Sequence, residues 1–120
     1  MGAIAVRSGP ACRAHRGVRC LGRRRAGAGH GLRHPEVYGT VLCASPGGGY
    51  RPPAAMPSAL PRTYLVAGTL EPFFLHNATR WADALRDAGA DVVVTERAGS
   101  HGDAFWREEF PLMVAWAFGR

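Results

Sequence analysis

Two short stretches carry the side chains whose types and spacing can do chemistry. Ala98-Gly99-Ser100-His101-Gly102-Asp103-Ala104-Phe105-Trp106-Arg107 follows the apolar run Val92-Val93-Val94-Thr95 and precedes an aromatic-rich amphipathic segment. That order reads as a strand, a glycine-bracketed turn presenting one histidine, and a helix. An imidazole held this way can take up and return a proton near neutral pH. The second stretch, Gly68-Thr69-Leu70-Glu71-Pro72, places a carboxylate on a turn after another apolar run. A carboxylate that orients a histidine and stabilises its protonated form is the acid–base half of a nucleophilic triad. The competing account makes Glu71 a solvated loop residue and His101 a satisfied surface side chain. Spacing alone leaves the two accounts level.

The elements around these turns decide whether they can meet. Thr63-Tyr64-Leu65-Val66-Ala67 is a short continuous apolar run, as expected of a strand buried on both faces. A helix is predicted from about Asn77, with Ala78, Trp81, Ala82, Leu85 and Ala88 on its apolar face, Arg80, Asp83, Arg86 and Asp87 opposite, and Gly89 as its stop. Val92–Thr95 follows as a strand. A β-α-β unit makes its two strands parallel, so Glu71 and His101 both fall on loops beyond the carboxyl edge of one sheet, where functional groups gather. Upstream, Pro35 ends any preceding helix and Thr40–Ala44 is a third buried strand. Ser45-Pro46-Gly47-Gly48-Gly49-Tyr50 leaves it as a turn, and residues 51–62, with Pro at 52, 53, 57 and 61, form an irregular loop. Downstream, Asp103 is expected to cap a helix carrying Phe105, Trp106 and Phe110, with Pro111 opening a second helical turn that holds Met113, Val114 and Trp116. These aromatics are expected to pack on the sheet rather than bind a ligand.

At 120 residues the chain is one domain at most, large enough for a core. The net charge of +6 is confined to one end. Residues 1–35 hold eight arginines and no acid, whereas residues 36–120 hold seven arginines against nine acids. No lysine occurs, and no recognised binding motif or interleaved aromatic accompanies the arginines, so nucleic acid is not the expected partner. No apolar run approaches a membrane span and no secretory pattern opens the chain, so a cytoplasmic location is expected. Cys12, Cys20 and Cys43 form neither a disulfide framework nor a CxxC pair. Cys12, His15, Cys20 and His30 can be drawn as a metal site, but the spacing fits no standard finger; unpaired thiols are the better reading, and no metal or cofactor is expected. Residues 1–31, rich in Gly, Ala and Arg, show neither helical nor strand periodicity and are expected to be irregular, with at most a short strand over Ala3–Val6. Residues 32–120 form the α/β part.

Three pieces taken in order carry a family resemblance: His34-Pro35-Glu36-Val37-Tyr38-Gly39, then Gly68-Thr69-Leu70-Glu71 followed by Asn77, then Ser100-His101-Gly102-Asp103 with Trp106. Together they resemble the C-terminal part of the esterase branch of the α/β-hydrolases that includes enterochelin esterases and S-formylglutathione hydrolases. The resemblance spans roughly residues 32–120. It implies a partial α/β-hydrolase fold of about three parallel strands with flanking helices. It also implies Glu71 as the acid and His101 as the general base, acting on the carbonyl of a small-molecule ester or thioester.

One part of the pattern is missing. Members of that branch place a G-x-S-x-G nucleophile elbow about a helix length before the His-Pro stretch. Here that spacing points to Gly17-Val18-Arg19-Cys20-Leu21-Gly22, and none of Ser8, Ser45, Ser58 and Ser100 has the required setting. Cys20 has misplaced glycines as a substitute. The acid-free composition that stops near residue 32 suggests a shifted reading frame joined to an intact C-terminal half. Translating the coding DNA in its other two frames tests this, since one of them should give a Gly-flanked Ser ahead of His34. Without an attacking oxygen the chain is expected to be inactive or feeble. Three strands alone would leave an open edge and an uncovered apolar face, so marginal folding is expected. The rival is a non-catalytic interaction module whose Arg-rich arm binds acidic partners.

Overall fold

The computed structural model describes residues 2–7, 27–47 and 51–119. Within them the elements run β1 (Gly2–Arg7), α1 (Gly27–Arg33), β2 (Tyr38–Ala44), β3 (Arg62–Gly68), α2 (Pro72–Asp87), β4 (Val92–Arg97) and α3 (Asp103–Phe118). The four strands form one sheet in the order β1-β2-β3-β4. β2, β3 and β4 are parallel, with Leu42 beside Tyr64 and Tyr64 beside Val93, while β1 joins β2 antiparallel. The three parallel strands with flanking helices are an α/β arrangement, as the apolar runs predict.

Alternation along the strands divides the core in two. Cys43 and Leu65 face one side, where Leu32 of α1 and Trp81, Ala82 and Leu85 of α2 pack on them. Leu42, Ala44, Tyr64 and Val66 face the other, covered by Phe105 and Met113 of α3. Both faces of the central strands therefore carry helices, contrary to the expectation of an uncovered apolar face. Trp116 meets Tyr64 edge-on at 5.5 Å and takes the Arg62 guanidinium over its ring at 4.4 Å. Among the described residues, the large apolar side chains left in solvent are Leu70, Phe73, Phe110, Leu112 and Phe118.

Several local expectations need correction. Regular structure reaches into the stretch expected to be irregular: β1 extends the strand expected over Ala3–Val6, and α1 forms despite three glycines. Pro35 does end α1, and the turn after it is closed by bonds from the amides of Val37 and Tyr38 to the His34 carbonyl. Helix α2 begins at Pro72, five residues before Asn77. Its first turn, Pro72-Phe73-Phe74-Leu75, has no polar face to reveal the helical period, and the usable signal was a proline at the first helical position. Helix α3 runs unbroken through Pro111 rather than starting a second turn there, and Gly102 (φ 146°) occupies its cap position with Asp103 as its first residue. Cys12, His15, Cys20, Ser8 and the arginines at 23–25 lie outside the described residues, as does the side chain of His30.

Candidate functional site: a buried carboxylate beneath a loop histidine

Parallel register brings the ends of β3 and β4 side by side, with Gly68 paired to Arg97. The loops that follow are stitched together: the Thr69 amide donates to the Arg97 carbonyl (2.8 Å) and the Leu70 amide to the Gly99 carbonyl (2.9 Å). Glycine is what permits this contact. A β-carbon on residue 68 would lie 2.2 Å from the Gly99 oxygen, and one on residue 99 would lie 2.5 Å from the Phe105 ring. The two glycines thus let the Glu71 loop and the His101 loop touch through their backbones.

Glu71 is 4% exposed, at the N-terminus of α2, with its side chain turned under the loops. Its Oε1 accepts hydrogen bonds from the Gly68 amide (2.7 Å) and the Ser45 hydroxyl (2.6 Å). Its Oε2 lies 2.8 Å from Nδ1 of His101. A carboxylate only accepts, so Nδ1 carries the ring proton and the neutral ring keeps its lone pair on Nε2. Nε2 has no partner among the described residues. The His101 side chain is 36% exposed and borders a cleft of about 360 Å³ with Ser100, Gly102, Ala104 and Glu108.

The ring is held from two further directions. Phe74 stacks on it at 4.2 Å with 26° between planes, and Trp106 meets it edge-on at 4.8 Å. Phe74 and Trp106 together restrict rotation of the imidazole between them. The early start of α2 matters here, because it places Phe74 on a helix rather than on a free loop.

Ser45 was not legible as part of this site. Its candidacy as a nucleophile fails for a plain reason: its hydroxyl is bonded to the carboxylate, not to the imidazole, and the residue is fully buried. It sits at the end of β2 with φ 51°, a conformation that costs a non-glycine residue roughly 1–2 kcal/mol. The indole N–H of Trp106 donates to Ser45 Oγ at 3.1 Å. Asn77 fixes the following residues by donating to the carbonyls of Pro46 (3.2 Å) and Gly47 (2.8 Å). Ser58 and Ser100 are exposed, and His34 pairs at 3.3 Å with Glu36 on the surface, away from this cluster of bonds.

A second buried carboxylate, Glu109 on α3, bonds Arg97 Nε at 2.8 Å. Burial pushes its pKa above the ordinary value of 4.5, against the lowering effect of Arg97. Burial also pushes the Cys43 thiol up to about 12, which leaves it without nucleophilic thiolate. Among the described residues no group of three or more His, Cys, Asp or Glu side chains is placed to hold a metal ion. Comparison with protein-family models, with curated proteins and with solved structures gives no match, so the meaning of the site rests on its geometry.

Proposed function

We propose that Glu71 and His101 are the acid–base half of a carboxylic-ester or thioester hydrolase site in a partial α/β-hydrolase fold. The observation that carries this reading is the 2.8 Å contact from a buried carboxylate to Nδ1, with Nε2 left free beside an open cleft. In this role His101 Nε2 takes the proton from the attacking hydroxyl, Glu71 stabilises the imidazolium, and Nε2 then returns the proton to the leaving oxygen of an ester or the leaving sulfur of a thioester. The charge stays paired throughout.

The attacking group is not among the described residues: no serine or cysteine there is bonded to His101. Among the described residues the proton relay stands without a nucleophile, and the expected hydrolytic rate is feeble. The free Nε2 lone pair still accelerates attack of water on an activated ester. Hydrolysis of p-nitrophenyl acetate slightly above the buffer rate, abolished in His101→Ala, is the expected result. Equal rates for the two proteins overturn the proposal. No helix among the described residues is long and apolar enough to cross a membrane.

The rival, an interaction module using the Arg-rich arm, draws on the eight arginines and absent acids of residues 1–35. Salt-dependent binding to nucleic acid, together with no His101-dependent hydrolysis, would favour it.

A further inference from the structure

We infer that Ser45 and Trp106 form a clasp of fixed hydrogen-bond direction that assigns the two oxygens of Glu71, making Ser45 a positioning residue for the Glu71–His101 pair. The inference rests on reading that pair as the working centre. Its argument begins with Trp106, whose indole nitrogen can only donate. That N–H points at Ser45 Oγ at 3.1 Å, so Ser45 cannot direct its own proton back toward Trp106. The one hydroxyl proton of Ser45 goes to Glu71 Oε1, 2.6 Å away. The Gly68 amide donates to the same oxygen at 2.7 Å. With two donors on Oε1, Oε2 is the oxygen left for His101 Nδ1.

The clasp closes on itself. Trp106 also touches the His101 ring at 4.8 Å, so one side chain of α3 is tied to both ends of the chain of bonds. The participants come from five separate places: the end of β2, the end of β3, the N-terminus of α2, the loop after β4 and the first turns of α3. No single loop can shift without breaking a bond to another. The backbone at Ser45 adds a second, independent sign. A fully buried serine at φ 51° persists in a sparsely populated region, where glycine would be relaxed. Retaining a hydroxyl there is understandable if the hydroxyl is needed.

Ser45→Gly separates the two roles, because it relaxes the backbone while taking away the hydroxymethyl group that bonds Glu71. In proton NMR of the full chain, the His101 Nδ1–H resonance is identified by its absence in His101→Ala. Its exchange with water is expected to be faster by about tenfold or more in Ser45→Gly, which loses a hydrogen bond to the Glu71 carboxylate, and faster by a smaller factor in Trp106→Phe, which loses the indole bond to the Ser45 hydroxyl. A cooperative urea transition of Ser45→Gly shows that the variant is folded, the relaxed backbone offsetting part of the lost hydrogen bond. Unchanged Nδ1–H exchange in a folded Ser45→Gly overturns the clasp, since a merely structural serine predicts that result. The wild type gives a check that needs no variant to fold: the Trp106 indole proton must exchange more slowly than those of solvent-exposed tryptophans, and exchange at their rate also overturns the clasp. Labelling of Ser45 by a fluorophosphonate does so too. None of these readouts involves an ester, so failure of the clasp and failure of the hydrolytic reading are told apart by separate measurements.

Discussion

Gly68 and Gly99 meet backbone to backbone, and a single methyl group on the first would stand 2.2 Å from the carbonyl oxygen of the second. Neither atom belongs to a side chain that can rotate away. Gly68→Ala must therefore push the Glu71 and His101 loops apart, at a cost of about 3 kcal/mol, the upper end for overpacking. Gly99→Ala presses instead on the Phe105 ring and should cost less. Urea unfolding of the two variants gives the order. A harmless Gly68→Ala would mean that the loops are not held as described.

Glu71→Gln tests the direction of the hydrogen bonds. The glutamine oxygen can still accept from Gly68 and Ser45, which leaves its amide to face Nδ1 of His101. The ring can meet a donor only by moving its proton to Nε2, which removes the lone pair that acts as base. Stability should fall by about 1–2 kcal/mol. The nitrogen shifts of the His101 ring should report an exchanged tautomer, and any His101-dependent ester hydrolysis should drop to the level of His101→Ala. An unchanged tautomer contradicts the pairing.

Those variants also mark what could be read from residue order and what could not. Glu71 and His101 were legible because each follows an apolar run by a few residues, and a crossover helix between parallel strands forces their loops onto one edge. The glycines flagged the loops, and the apolar runs flagged the strands. Ser45 and Trp106 gave no comparable signal. A serine after a strand invites a search for a nucleophile, and an aromatic on an amphipathic helix invites a packing role. Their bond spans 61 residues and exists only because β2 and α3 meet across the sheet. Phe74 was hidden for a local reason, since an all-apolar first turn carries no helical period.

Glu109 should impose a pH dependence on stability with the opposite sign to an ordinary salt-bridged glutamate. Burial raises its pKa in the folded protein above the ordinary 4.5, and Arg97 only partly opposes that. The native state therefore binds this proton more tightly than the unfolded chain does. Its contribution is complete below 4.5 and is lost as pH rises through the folded-state value. Urea midpoints measured from neutrality down toward 4.5 should show the wild type gaining on Glu109→Gln as acid is added. A gap that stays constant, or moves the other way, refutes the assignment.

Cys43 reports whether the helices really cover the sheet. It points into the face packed by Leu32, Trp81 and Leu85, is 3% exposed, and has its thiol pushed up to about 12. Iodoacetamide needs both access and thiolate, and neither is present in the folded state. Native protein should leave Cys43 unmodified, whereas protein in urea should alkylate it fully, as read by peptide mass spectrometry. Trp81→Ala opens the same face and should cost about 3–5 kcal/mol. Native labelling of Cys43 should then quicken in proportion to the population of open molecules, provided that reclosing outpaces alkylation. Labelling of the wild type at the rate of an exposed cysteine would mean that α1 and α2 do not stay on the sheet, and the loops carrying Glu71 and His101 would lose the scaffold that brings them together.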